Sequence, residues 1–384
     1  MRLSRNVVLL GTVSLLADIS SDMVMPLLPA FVVTLGAGAA YIGVIEGAAE
    51  GTAALFKYIS GRWADRVRRL LPLAVAGYAL AALARPCLAV SQRPWQVLAV
   101  RNVDRIGKGI RTSPRDKLLA ASAPRERLAE AYAFHRGMDH AGAAIGPFVA
   151  AGLLLVWPEQ IRRVFLFAAI PGALAVLALL AVHETAQLTP RAEAGGQAKG
   201  GVPRRLLAAI ALFTLGNSTD ALLLLRAGTI GVPTAQLPLL WASLHLVRAL
   251  LSWPMGRIAD RLGRQRTLIS GWLWYALCYA GFALARAPAH AWALFSAYGL
   301  VAALTEGTER ALIADAAPPE TRGRALGIYN LVTGAGLLAA SVLAGQVWDH
   351  VSPAAALLLG AALAFAASAL LALGPHPARQ APAA

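Results

Sequence analysis

Residues 98–116 read LAVRNVDRIGKGIRTSPRD. Arg101, Asp104, Arg105, Lys108, Arg111, Arg115 and Asp116 all fall here, preceded by PWQVLAV in a chain that is otherwise mostly apolar. The charges recur three and four positions apart, the period of an α-helix. One helix face is therefore charged over about 20 Å at 1.5 Å per residue. On a soluble protein such a face is a solvated surface. Among apolar neighbours it predicts a membrane helix, where a charged stripe stands only facing a bundle interior or a water-filled cavity. The stripe predicts a polar route through a membrane protein.

Composition points the same way. Of 384 residues 58% are hydrophobic and 14% charged, where a soluble domain carries about 25% charged residues. The first apolar run is too long for a signal-peptide core and lacks a small-residue cleavage site, so it is expected to stay as a helix. The net charge of +15 would suit nucleic acid, but its placement argues against that partner, as shown below. Cys87 and Cys278 each sit inside an apolar segment, with no disulfide framework and no metal spacing.

Apolar runs of about 17–25 residues, separated by short polar or Gly/Pro punctuation, predict an all-α integral membrane protein with twelve transmembrane helices. They are expected near 6–34, 40–61, 72–90, 94–112, 131–156 and 164–183, then 206–227, 235–255, 267–286, 290–313, 325–346 and 353–373. Residues 184–205 contain PRAEAGGQAKGGVPRR and read as a flexible cytoplasmic linker. It divides the chain into an N-terminal bundle, 1–183, and a C-terminal bundle, 206–384. With the N-terminus cytoplasmic, most Lys and Arg fall on the cytoplasmic side, which explains the net charge and places both termini inside.

The halves repeat one another. Gly61-Arg62-Trp63-Ala64-Asp65-Arg66 returns as Gly256-Arg257-Ile258-Ala259-Asp260-Arg261, and Ser20-Ser21-Asp22 is echoed by Ser218-Thr219-Asp220. Two similar six-span halves predict two bundles about a pseudo-twofold axis along the membrane normal, with a site between them.

With these motifs in hand, the sequence resembles the major facilitator superfamily over nearly its whole length. GRWADRVRR and GRIADRLGRQR look like that family's motif after spans 2 and 8. The resemblance implies a cytoplasmic gate at Gly61, Asp65, Arg66 and Arg69, and at Gly256, Asp260, Arg261 and Arg264. The two aspartates would latch the inner side by facing a neighbouring helix N-terminus. Arg101 with Gly107 and Gly109 looks like the family's span-4 motif, whose arginine is linked there to proton coupling. Gly142, Gly146 and Pro147 resemble its antiporter motif, although Ala150-Ala151 stand where that motif has a glycine pair. Close helix approach alone accounts equally for the Gly142/Gly146 spacing.

The buried ionisable groups cluster by span. Asp18 and Asp22 lie one turn apart in span 1, Glu46 and Glu50 repeat that spacing in span 2, and Lys57 follows on the same stripe. Span 5 carries His135, Arg136, Asp139 and His140, and the second half contributes Asn217, Asp220, Glu306 and Glu309. Arg85 and Arg286 fall near the ends of spans 3 and 9, which are peripheral in the resembled fold. Such groups either form buried ion pairs that fix helix packing or carry protons. Desolvation favours the neutral form of a carboxyl group and a nearby arginine the charged form. A carboxylate whose neighbour moves is then a proton carrier, and Asp22, Glu46 and Glu50 are the candidates, with Arg101 and Arg105 as cationic partners. His135 and Asp139, at i and i+4, are weak candidates for a metal.

No phosphate-cradling loop, HExxH or nucleophile elbow occurs, so no enzyme activity and no cofactor are expected. A proton gradient is the expected energy source. The pattern predicts a secondary active transporter, a monomer in a lipid bilayer of the plasma (inner) membrane. Proton-coupled efflux of a cationic drug-like compound or metal ion stands beside proton symport of a small organic anion. A channel and a non-transporting receptor are the other readings.

Overall fold

The computed structural model describes residues 4–67, 69–123, 128–184, 203–316 and 322–373. Fifteen α-helices and no strands occur among them. In order they are α1 (Arg5–Val24), α2 (Leu28–Thr34), α3 (Ala39–Arg66), α4 (Leu71–Cys87), α5 (Pro94–Ala121), α6 (Leu128–Val156), α7 (Ile161–Phe167) and α8 (Ala169–Leu180). There follow α9 (Arg204–Gly216), α10 (Asp220–Thr229), α11 (Leu237–Leu262), α12 (Arg264–Leu284), α13 (Pro288–Asp315), α14 (Arg322–His350) and α15 (Pro353–Ala372).

Helix starts follow local chemistry. Pro94, Pro288 and Pro353 open α5, α13 and α15, at the first-turn position where a missing N–H costs nothing. The Ser352 side chain caps α15 by accepting from the Ala355 amide at 3.0 Å.

Three apolar runs expected to be single helices are interrupted, the sixth at Ala168 between α7 and α8. The first turns into a 3-10 segment at Met25–Leu27, beside Pro26 and Pro29, whose rings remove helical donors. The seventh stops at Gly216 and restarts at Asp220, where the Thr219 hydroxyl accepts from the Ala221 amide.

Among the described residues, eight stretches are long and apolar enough to cross a membrane: Arg5–Thr34, Leu71–Val90, Phe134–Val156, Ile161–Leu180, Arg204–Thr229, Arg264–Leu284, Ile328–His350 and Pro353–Ala372. Helices α3, α5, α11 and α13 are as long, at 26–28 residues. At 1.5 Å per residue they exceed a hydrocarbon core of about 30 Å. Each of the four carries several charged residues.

Packing explains where the charge goes. Helix α1 lies against α6 and α8, and α5 against α3 and α4; α11 and α12 lie against α13, and α9 against α15. The main contacts between α1–α8 and α9–α15 are α3 with α14 and α6 with α11. The repeat relates α3 to α11 and α6 to α14, so each cross-contact is the image of the other, as a twofold arrangement requires.

The α3–α14 seam closes at one end only. From the Ala39 end the backbones touch through Gly43 against Ser341, Gly47 against Leu338 and, more loosely, Gly334 against Ala54. A Cβ on Gly345 would lie 2.6 Å from the Ala39 carbonyl oxygen. One turn further along the same stripes the helices part, leaving Tyr58 65% and Leu331 71% exposed. This seam is thus shut at the Ala39 end and parted beyond Ala54 and Gly334.

Candidate transport site

Three helices assemble a charge network at the depth where the seam closes. Arg101 on α5 donates from Nε to Glu46 Oε1 (2.9 Å) and from Nη2 to Oε2 (3.0 Å), a bidentate pair with α3. Its Nη1 donates to Asp104 Oδ2 at 3.3 Å. Arg85 on α4 donates to the other Asp104 oxygen at 3.0 Å and to the Ala17 carbonyl of α1 at 3.0 Å. All four side chains are at most 5% exposed. Two guanidinium groups and two carboxylates balance, which is what keeps such a buried cluster tolerable. Glycines allow the approach: a Cβ on Gly107 would stand 2.6 Å from the Gly77 oxygen of α4, and one on Gly109 2.5 Å from the Phe56 Cβ of α3.

Below this network the pairing loosens. Arg105 Nε is 3.8 Å from Glu50, and this buried nitrogen makes no hydrogen bond. The Glu50 side chain is 38% exposed. Lys108, half-buried, and Lys57, exposed, make no ion pair among the described residues. Further along, Arg111 lies over the Tyr78 ring at 4.2 Å and Arg115 pairs with Asp116 at 2.8 Å. The stripe of α5 therefore passes from a neutralised cluster to a stretch in which cations outnumber acids.

Helix α1 presents the acidic side. Asp22 Oδ1 accepts from Trp241 Nε1 of α11 at 3.0 Å, a bond across the two helix groups. The Trp241 ring is 4.9 Å from that of His245. Asp18 makes no hydrogen bond or ion pair among the described residues; its Cβ faces Gly142. Gly142 and Gly146 let α6 touch the α1 backbone, at Leu15 and at Ile19. On α6, His135 Nδ1 is 3.5 Å and Arg136 Nη1 3.6 Å from Asp139 Oδ2. No group of three metal-ligating side chains occurs among the described residues.

The second helix group binds its acids with neutral donors. Asp220, at the interruption between α9 and α10, accepts from the Tyr298 hydroxyl at 2.8 Å. Tyr275 donates to the Gly216 carbonyl freed by that interruption, at 2.7 Å, and Asn217 lies half-buried beside it. Buried Glu309 accepts from Trp272 Nε1 (3.1 Å) and from the Tyr329 hydroxyl (2.8 Å). Glu306 is largely exposed, 3.8 Å from Arg248. Among the described residues, Asp22, Asp220 and Glu309 therefore lack the arginine ion pairs that Glu46 and Asp104 make.

Among the expected gate residues, a Cβ on Gly61 would lie 3.6 Å from the Ser113 hydroxyl, and Arg69 and Arg261 are exposed while Arg264 is partly buried. The side chains of Asp65, Arg66 and Asp260, and the surroundings of Gly256, lie outside the described residues. One expectation is corrected. Arg85, placed at the edge of a peripheral span, is 4% exposed and enters the central network, because Gly77 and Gly107 bring α4 onto α5. The neutral donors Trp241, Trp272, Tyr298 and Tyr329 carried no sequence signal beyond being polar aromatics in apolar spans.

The family model described as Major Facilitator Superfamily matches residues 10–308 and again residues 206–384. The chain belongs to the major facilitator superfamily. It is 31% identical over 382 residues to an uncharacterized MFS-type transporter of Methanocaldococcus jannaschii, covering 96% of this chain and 94% of that one. An uncharacterized protein of Mycobacterium tuberculosis is 27% identical over 358 residues, 90% of this chain and 87% of its own. Solved structures share the fold. A POT family transporter in complex with 5-aminolevulinic acid superposes with a TM-score of 0.80 over 96% of both chains, at 11% identity. A mutant of the nucleoside transporter NupG does so with 0.79, over 96% of this chain and 99% of its own, at 14% identity. The protein is a multi-pass membrane transporter of the major facilitator kind, not an enzyme.

Proposed function

We propose that this major facilitator protein is a proton-coupled secondary transporter that moves a small solute by alternating access between two six-helix bundles. Helices α3, α5, α11 and α13 join the eight apolar stretches as membrane spans, giving twelve. Residues 1–183 and 206–384 form the bundles, joined by a linker at 184–205, with both termini in the cytoplasm and the chain in the plasma (inner) membrane as a monomer. The observation that carries this reading is the one-ended seam. The bundles meet at the Ala39 end and part beyond Ala54 and Gly334, leaving the α5 stripe open to one side. With the N-terminus inside, that side is the cytoplasm, so this is an inward-open state. A cofactor has no place in the scheme; a proton gradient supplies the energy.

The solute and the proton compete at Asp22. This carboxylate joins the bundles through the neutral indole of Trp241, whose ring packs against that of His245, and has no paired arginine among the described residues. A charged carboxylate with an aromatic face suits a cation, so the favoured reading is export of a cationic compound in exchange for protons. Glu46, bound bidentate to Arg101, serves instead to hold α3 on α5. A second reading rests on Arg105, Lys108 and Lys57, whose loose pairing suits a small organic anion carried with protons. Uptake into proteoliposomes over a panel of organic cations and anions tests both. The proposal requires saturable flux that depends on the pH gradient and is lost in Asp22→Asn. Saturable cation flux indifferent to that gradient and to the substitution would overturn the coupling, and non-saturating current would point to a channel.

A further inference from the structure

The shut end of the α3–α14 seam carries a polar device of its own. Helix α3 begins after Gly38, which has no side chain to cap the first turn. The cap comes from the other bundle: Asp349, at the end of α14, accepts from the Ala39 amide through Oδ1 (3.0 Å) and from the Ala40 amide through Oδ2 (2.8 Å). A carboxylate taking two free amides at a helix N-terminus satisfies donors that have no partner within the helix and meets the positive end of its dipole. The fit excludes larger residues. A Cβ on Gly38 would stand 2.6 Å from Asp349 Oδ2, and one on Gly345 2.6 Å from the Ala39 carbonyl oxygen.

We propose that Asp349 is an inter-bundle latch that holds the Ala39 end closed by capping α3, and that it must let go for the transporter to open on that side. The latch rests on the alternating-access reading above. It acts at the end opposite to the GRWADR loop and in the opposite state. Because the contact is formed with the end shut, releasing it leaves two amides without their charged acceptor. The interaction therefore biases the equilibrium between states and does not touch the solute.

The test uses spin labels on the full chain, reconstituted in liposomes in a background lacking Cys87 and Cys278. One pair, at Val33 and Val351, reads the Ala39 end. A second, at Tyr58 and Leu331, reads the other; all four positions are exposed. Gly345→Leu, which wedges the seam, identifies the long distance for the first pair. Loss of a helix cap corresponds to roughly a two- to thirtyfold change in an equilibrium. Asp349→Ala is expected to raise the long-distance population at Val33/Val351 by that factor and to shorten the distance at Tyr58/Leu331. Asp349→Asn, which keeps an acceptor but loses the charge, falls between wild type and Ala and guards against misfolding. Substitution of exposed Gln346 by Ala leaves both distances alone. The latch is refuted if Asp349→Ala and Asp349→Asn leave the ratio unchanged while Tyr58/Leu331 still reports two distances. A single fixed distance at both pairs in every variant refutes alternating access and the latch with it.

Discussion

Replacing Asp104 by Asn probes the charge network most sharply. In the native cluster Arg85 has two acceptors, Asp104 Oδ1 and the Ala17 carbonyl, and its side chain is 5% exposed. The amide keeps the shape but removes the charge, leaving Arg85 a buried cation with only neutral acceptors. Breaking a buried pair this way costs about 3–5 kcal/mol. Arg101 is spared, because Glu46 holds it through two bonds. At about 2–4 °C per kcal/mol for a bundle of this size, thermal unfolding in detergent falls by roughly 6–20 °C. Arg85→Met alone costs less, since Asp104 retains Arg101 at 3.3 Å and Arg105 at 3.9 Å. The double variant Arg85→Met/Asp104→Asn leaves no orphaned charge and recovers most of the loss, so the cycle shows a coupling of at least about 2 kcal/mol. Tryptophan fluorescence during thermal or SDS unfolding supplies the four values. A D104N variant within about 1 kcal/mol of wild type, or a double variant equal to the sum of the singles, would show that these side chains do not act as a unit.

Other substitutions give distinct signatures. Trp241→Phe removes the donor to Asp22 and is expected to cost about 1–3 kcal/mol while weakening solute binding, measured by thermal stabilisation with a bound ligand; unchanged binding would detach Trp241 from the site. Gly146→Leu drives a side chain into the α1 backbone near Ile19 and should destabilise by about 1–3 kcal/mol or more, whereas Gly152→Leu, in open space, should stay close to neutral in the same unfolding assay. Tyr298→Phe leaves the Asp220 carboxylate without its hydroxyl donor, a loss of about 1–3 kcal/mol that Asp220→Asn should not reproduce additively in a double-mutant cycle.

Much of the fold was legible because membrane burial writes itself into composition. The apolar runs, the Gly/Pro punctuation between them and the repeated Gly-Arg-x-Ala-Asp-Arg loops place most helices and relate α3 to α11. Helices α5 and α3 run past the membrane lengths expected of them, since a polar helix can continue beyond the bilayer with no change of backbone. The interruption at Asn217–Thr219 was harder to read, since Ser-Thr-Asp in the second half breaks the helix while Ser20-Ser21-Asp22 in the first stays helical. Site residues were legible by type but not by partner. Glu46 and Glu50 are one turn apart and equivalent on paper, yet only Glu46 meets Arg101, because the register of α3 on α5 is set by Gly109 against Phe56. Asp349 lay beyond the expected end of its span, and only the crossing of α14 with α3 brings it to an unpaired helix start.

Ligand-induced thermal stabilisation at pH 5.5 and 8, comparing wild type with Asp22→Asn, tests the central claim most directly. The panel is organic cations, divalent metals and organic anions. Proton and cation competing for one carboxylate predict a cationic ligand that stabilises wild type more at pH 8 than at pH 5.5, with the difference abolished in the variant. A cation whose stabilisation has the same pH dependence with and without the Asp22 carboxylate would contradict it, and an anion favoured at pH 5.5 would transfer the site to Arg105 and its neighbouring lysines.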